Sequence, residues 1–265
     1  MFAAESEIVE LRILGAHSNE AKGARLTSFL LDNVLAIDAG GLTSALSLAE
    51  QEKIKAVLLT HHHFDHTRDL VTLGYNAALW NGQIKVYALP ETFDVVIPCL
   101  LDGKIYANLL EYPSKERPTL RFEFVERYKR QNIEGYQVLA VPVRHGAPTV
   151  GYQVTSPEGK KLFYTSDTGP GLSDCWQYIA PDLLICESSV PNMLGDFARK
   201  AGHLTPQLLK DELIQFKQLK GYLPKVIVIH IAISYEQQLS EEVAQVANEL
   251  GADVSLGHED MKVVL

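Results

Sequence analysis

The chain has 265 residues, 46% of them hydrophobic and 22% charged, with a formal net charge of −9. That composition can fill a large core. The net charge disfavours nucleic acid as a partner, because phosphate binding relies on clustered Lys and Arg, although a local basic patch is compatible with it. The three cysteines (Cys99, Cys175, Cys186) form no CxxC, which argues against a disulfide framework and fits a reducing compartment. Met1–Glu10 has neither the basic nor the apolar stretch of a signal peptide. No run approaches the roughly 18 apolar residues of a membrane span, so the expected location is cytoplasmic.

In chain order, Ile8–Leu14 reads as a strand ended by Gly15. Thr27–Leu31 and Val34–Asp38 flank Asp32-Asn33 as a hairpin. After Ala39-Gly40-Gly41, Ser44–Gln51 suits a helix. Ala56–Thr60 is an unbroken apolar run expected of a buried strand, which puts His61–His66 in the loop just past its end. Asp69–Leu79 predicts a helix and Ile84–Ala88 a strand. Glu91–Leu110 predicts a helix interrupted near Pro98 and Gly103, and Tyr112–Pro118 a loop. Arg121–Glu126, Tyr136–Val143, Tyr152–Val154 and Leu162–Thr165 alternate as strands. Leu183–Glu187 and Val226–Ile229 are buried strands. Pro206–Leu219 is a helix capped by Thr205, and Ser240–Leu250 one capped by Ser240 and followed by Gly251. No linker-like stretch divides the chain, so residues 1–265 are expected to form a single domain.

The segment that carries chemistry is His61-x-His63-x-Asp65-His66. In an extended loop, residues two apart face one side, so His61 and His63 converge on one ion and Asp65 and His66 reach a second. Imidazole with carboxylate and no thiolate suits zinc, manganese or iron. A chance histidine-rich loop or a tag remnant is the competing reading. The position directly behind an apolar strand argues against it. His62 is expected to point away, and His17 and His258 to be unremarkable, with His17 in a loop that could rim the site.

With this motif the chain resembles the metallo-β-lactamase superfamily, whose mark is HxHxDH after a strand. That family's pattern continues with a later His, a bridging Asp and a final His, each at a strand end. Here these match His145 after Val141–Arg144, Asp167 after Phe163–Ser166, and His230 after Val226–Ile229. Alone, His145 or His230 would more often be a satisfied buried histidine, and Asp167 a turn residue; their order and placement raise them together. The resemblance implies a four-layer αββα sandwich of mixed α/β class. It also implies two divalent metal ions, zinc first and manganese or iron as alternatives. His61, His63 and His145 would hold the first ion and Asp65, His66 and His230 the second, with Asp167 bridging.

Two further segments point to a branch. Asp182–Ser189, containing Glu187, is similar to the segment of ribonuclease Z that ends in HEAT, and Gly202-His203-Leu204-Thr205 is similar to its HST segment. By that likeness, His203 would protonate or stabilise a leaving oxygen, with Glu187 orienting it and Asp65 completing the catalytic set. Alternatively, His203 is an exposed loop histidine and Glu187 a buried salt-bridge partner. Ribonuclease Z carries a long basic arm between the third His and the bridging Asp, whereas here one hairpin joins His145 to Asp167.

Arg25–Leu31 with Ile37–Gly40, and Phe163–Pro170, look like the class II cyclic-nucleotide phosphodiesterases of the same superfamily. The implied enzyme is a metal-dependent hydrolase of a small, cyclic-nucleotide-like phosphodiester, attacking phosphorus through a metal-bridging hydroxide. The alternatives are a tRNA 3′-processing endonuclease and a hydrolase of thioesters or lactones. A homodimer is expected by family analogy. Tyr75, Tyr106 and Arg25 are candidates to line a substrate pocket.

Overall fold

A computed structural model of the chain describes residues 9–104 and 106–265, so the predicted strand start at Ile8 lies outside the described residues. The chain runs through β1 (Glu10–Gly15), β2 (Ser28–Leu31), β3 (Leu35–Ile37), α1 (Leu42–Ala45), α2 (Leu48–Gln51), β4 (Ala56–Leu58), α3 (Phe64–Thr67) and α4 (Leu70–Ala77). It continues through β5 (Ile84–Ala88), α5 (Pro90–Leu100), β6 (Pro113–Ser114), β7 (Arg117–Pro118), β8 (Leu120–Phe124), β9 (Arg130–Ile133), β10 (Tyr136–Pro142), β11 (Val150–Thr155) and β12 (Lys161–Tyr164). The last third holds α6 (Ser173–Trp176), β13 (Leu183–Glu187), α7 (Gly195–Ala201), α8 (Pro206–Lys220), β14 (Lys225–Ile229), α9 (Glu236–Leu250), β15 (Val254–Leu256) and β16 (Lys262–Val264).

Two seven-stranded sheets result, ordered β16-β1-β2-β3-β4-β5-β8 and β15-β14-β13-β12-β11-β10-β9. Three apolar seams separate four layers. The seam between the sheets takes Ile13, Phe29, Leu58, Tyr152, Tyr164 and Ile229. Helices α1, α4 and α5 cover the first sheet through Leu42, Leu73 and Phe93, and α6, α8 and α9 cover the second through Trp176, Phe216 and Val243. In β14, Ile227 and Ile229 face the central seam while Val226 and Val228 face the outer one. A strand with both faces buried has no polar residue to alternate, which is why these runs read as continuously apolar. This is the αββα sandwich expected from the sequence.

Several local expectations are corrected. The helix expected over Ser44–Gln51 is two short helices, broken where Leu46 is extended. Ser47 caps the second, its hydroxyl accepting from the Glu50 N–H and its own N–H donating to the Glu50 carboxylate. The helix expected over Glu91–Leu110 stops at Leu100, with Gly103 in the left-handed region at φ +80°. The Tyr112–Pro118 loop holds the small β6/β7 ladder. Helix α9 starts a turn before Ser240, because Leu239, Val243 and Val246 form one buried stripe that begins ahead of it.

The parallel strands β3, β4, β12, β13 and β14 deliver their C-terminal ends to one region. Loops leaving those ends carry the residues described next.

Candidate metal centre

Leu59-Thr60-His61 continues from β4, with the Leu59 N–H held on the Tyr87 carbonyl at 2.8 Å. His61 and His63 converge, as the two-residue spacing requires. Asp65 and His66 do not lie in an extended loop: His63 is the N-cap of α3, and both sit on that short helix. Helix α3 comes so close to the loop after β3 that a Cβ on Gly40 would lie 2.1 Å from the Asp65 carbonyl oxygen. Only glycine fits there.

Two groups of side chains share Asp167: His61, His63 and His145 on one side, and Asp65, His66 and His230 on the other. Within each group the candidate ligand atoms lie within 4.8 Å of one another. Asp167 Oδ1 is 3.2 Å from His66 Nε2, and its Oδ2 is 3.3, 3.8 and 3.9 Å from Nε2 of His230, His145 and His61. His145 Nε2 and His63 Nδ1 are 3.2 Å apart. His62 belongs to neither group.

The far nitrogens of these rings are anchored. His66 Nδ1 donates to the Asp38 carboxylate at 2.7 Å, and His145 Nδ1 to the Gly202 carbonyl at 3.0 Å. His61 Nδ1 lies 3.1 Å from the Thr60 hydroxyl and 3.4 Å from that of Ser166. His230 Nδ1 meets the Ser189 hydroxyl at 2.7 Å. Ser189 gives its own proton to Glu187 at 2.7 Å, so it accepts from His230 and leaves His230 Nε2 bare toward the group. Such outer bonds fix tautomer and ring orientation at metal sites. On the inner side, His61 Nε2, His66 Nε2 and Asp167 Oδ1 are buried without a hydrogen-bond partner among the described residues. Orphaned buried polar atoms are costly. The two imidazoles, anchored through their far nitrogens, and the carboxylate between them fit a pair of divalent cations.

The charges agree with that fit. Burial, then the neighbouring His66, drives His61 well below its ordinary value and keeps it neutral, as a ligand must be. Burial also opposes a charge on His66, yet Asp167, Asp38 and Asp65 outweigh it and raise the imidazole, so the carboxylates draw positive charge to this position: a proton in the metal-free chain, which a bound cation would displace. Burial likewise works against the carboxylates, but the nearby imidazoles hold Asp65 and Asp167 well below the usual range.

Beside the double group, the fully buried Glu187 accepts four hydrogen bonds. Its Oε1 takes the Thr168 N–H at 2.7 Å and His203 Nδ1 at 2.8 Å; its Oε2 takes the Ser189 hydroxyl at 2.7 Å and the Leu204 N–H at 3.2 Å. Burial would lower His203, but Glu187, followed by Asp167 and Asp65, lifts it to about 9. A cleft of about 560 Å³ brings His63, Asp65, Asp167, His203 and His230 together under a rim that includes Phe64. Phe64 is exposed, and Arg68 on the same rim pairs with Glu20 and Asp69.

Tyr75, Tyr106 and Arg25 are not among the residues lining this cleft. Tyr75 packs its ring against Tyr106 and Tyr112, and Arg25 bonds the Leu14 carbonyl and Asp260. His17 is buried on Glu259 at 2.7 Å, and His258 is exposed. Sequence reasoning did not single out Asp38, Ser166 or Ser189 for a role. The signal for Asp38 was its place at the end of β3, before Gly40-Gly41.

A family model described as Beta-lactamase superfamily domain matches residues 27–231. The chain is 23% identical over 206 residues to a protein named Ribonuclease Z from Methanocaldococcus jannaschii, covering 76% of this chain and 56% of that relative's length. Among solved structures, unliganded yeast PDE1 superposes with a TM-score of 0.82 at 19% identity, over 97% of this chain and 99% of that one. The Bacillus subtilis metallo-beta-lactamase fold protein YhfI superposes at 0.78 with 15% identity, over 98% and 100% of the two chains. Human tRNase Z, short form, superposes at 0.70 with 19% identity, over 96% and 98%. The match over residues 27–231 spans the described groups from His61 to His230, and the chain belongs to the beta-lactamase superfamily, with the metallo-β-lactamase fold of its metal-dependent hydrolases.

Proposed function

We propose that this chain is a two-metal phosphodiesterase acting on a small, cyclic-nucleotide-like phosphodiester. The observation that carries the reading is His203, held from behind by the buried Glu187, lining one cleft with His63, Asp65, Asp167 and His230 of the double His/Asp group. Two bound divalent ions would supply a water of lowered pKa and neutralise charge on the phosphoryl oxygens. Zinc is the first expectation for this nitrogen and oxygen donor set, with manganese or iron as alternatives.

The chain's own residues divide the remaining work. Asp167, between the two groups, fixes their separation. Asp65, His66 and His230 orient one side of the cleft, and His61, His63 and His145 the other. His203, raised to about 9, holds a proton on its cleft-facing ring for the departing oxygen, although bound cations oppose that charge. Glu187 keeps the ring in place through Nδ1. The cleft volume suits a small molecule. Between His145 and Asp167 the chain forms the β11–β12 hairpin, which leaves no length for a tRNA-holding arm. Among the described residues no helix is long and apolar enough to cross a membrane.

The test is hydrolysis of bis-p-nitrophenyl phosphate, cAMP and cGMP with added Mn²⁺ or Zn²⁺, repeated with Asp65→Ala. Metal-dependent turnover of a cyclic nucleotide, reduced at least a hundredfold in the variant, is the expected result. No turnover of any diester by protein shown to hold two metals would sink the reading.

A second reading, RNA 3′ processing, is favoured by the name of the Methanocaldococcus relative. It predicts cleavage of a precursor tRNA with steep salt dependence and no action on cyclic nucleotides.

A further inference from the structure

A second cleft, of about 310 Å³, adjoins the metal centre. It shares His145 with the first group, and Gly202 on its wall precedes His203. Its other walls carry Arg144, Arg199 and Lys200, together with Gly146 and Gly169, and no carboxylate lines it.

The three cations are differently held. Arg144 is fixed: its carbonyl accepts from the Gly169 N–H at 2.6 Å, its N–H donates to the Thr168 hydroxyl at 3.3 Å, and its guanidinium lies where a Cβ on Gly171 would be, 2.7 Å from Cζ. That guanidinium pairs with Asp174 at 3.1 Å on the exposed surface. Arg199 and Lys200, in the last turn of α7, form no ion pair among the described residues, which leaves both free to meet a ligand. The Gly146 N–H makes no hydrogen bond within the described residues. Nothing lies within 4 Å of where a Cβ on Gly146 would be, so no side chain keeps a ligand off the backbone there, whereas Gly169 and Gly202 are glycines because they pack against each other and against His145.

We propose that this cleft binds a phosphomonoester group carried by the substrate in addition to its scissile diester. The preferred substrate is then a small diester with a further terminal phosphate, and this inference rests on the phosphodiesterase reading. A planar guanidinium, an ammonium and an open backbone N–H form a donor set suited to a dianionic phosphate. The phosphate held there would fix the diester relative to His145 and His203.

The first test uses no catalysis. The full chain, freed of metal with a chelator, is titrated with inorganic phosphate by calorimetry, alongside Arg199→Gln/Lys200→Gln. An affinity at least tenfold weaker in the double variant is expected. No binding by the parent, or equal affinity in both proteins, overturns the proposal. The second test compares the inhibition of bis-p-nitrophenyl phosphate turnover by ApA, pApA and ApAp. One phosphorylated dinucleotide should bind at least tenfold better than ApA in the parent, and that ratio should fall toward one in the double variant. Equal inhibition by all three in the parent also overturns it. A metal-loaded parent that fails to turn over bis-p-nitrophenyl phosphate removes the phosphodiesterase reading instead, while the phosphate titration of the metal-free chain still judges the cleft.

Discussion

The carboxylate of Asp38 accepts from the Thr60 N–H at 2.9 Å and from His66 Nδ1 at 2.7 Å. Its replacement therefore acts on a metal it does not touch. Asp38→Asn should weaken binding of one metal equivalent about 10–100-fold, read by chelator competition, while the equivalent held by His61, His63 and His145 changes less. A second residue-scale prediction concerns Glu259, which accepts from His17 and from the Arg25 N–H at 2.7 and 2.8 Å. Burial opposes its charge, yet these bonds hold it at about 2. A depressed carboxylate stabilises the fold above its unfolded pKa near 4.5 and loses that contribution as pH falls toward 2. His17 is raised, by Glu259 and Glu236 against burial, so its share is complete below about 6.5 and fades as pH rises past that. The stability gap between the parent and Glu259→Gln should peak between about pH 4.5 and 6.5, on the order of 2–3 kcal/mol, in denaturant titrations of the metal-free protein. At this scale, His61 through His66 were legible because they are sequence neighbours behind an apolar run, and His145, Asp167 and His230 because each follows a strand. Asp38, Ser166 and Ser189 were not, because what they hold is distant in sequence: Ser189 meets His230 across 41 positions.

Elements were legible where burial leaves a pattern. Strands β4, β13 and β14 show as apolar runs because both their faces are covered, while β5 alternates buried Ile84, Val86 and Ala88 with the partly exposed Lys85 and Tyr87. Strands β9, β15 and β16 escaped notice because they are short, lie at or near sheet edges and mix polar with apolar residues. The split between α1 and α2 was written in Ser47-x-x-Glu50, a capping box that outweighed the apolar spacing around it. Helix α8 shows what one cap contributes. Thr205 accepts the Leu208 N–H at 3.3 Å, and Leu204-Thr205 leads directly from His203 into the helix. Thr205→Ala should cost about 1 kcal/mol of stability. Trp176, buried between Phe163 and Phe216 under α8, is a larger case. Trp176→Ala should cost about 3–5 kcal/mol, seen as a lowered denaturation midpoint without a change in slope.

For the whole molecule, the centre bridges the two sheets. His61, His63, Asp65 and His66 come from the end of β4 in one sheet, and His145, Asp167 and His230 from β10, β12 and β14 in the other. Bound metal therefore works against separation of the sheets. At a hundredfold excess over Kd, one ion held only by the native state adds about 2.7 kcal/mol. Stripping it with a chelator should lower Tm by roughly 5–10 °C for a chain of this size. A Tm insensitive to chelation would mean that the groups do not hold metal tightly in solution.

The pairing of β16 with β1, Leu11 opposite Val263, has a consequence for how the molecule is made. The β1 edge that β16 covers stays open on the ribosome until residues 262–264 have been synthesised. His61 to His66 emerge long before His145, Asp167 and His230, so a nascent chain offers a histidine-rich segment with nothing opposite it. An ion caught at that stage would meet a partial, flexible chelate. The seven candidate ligands meet only where the second sheet packs against the first, so a metal pair held by all of them would bind after the sheets have packed.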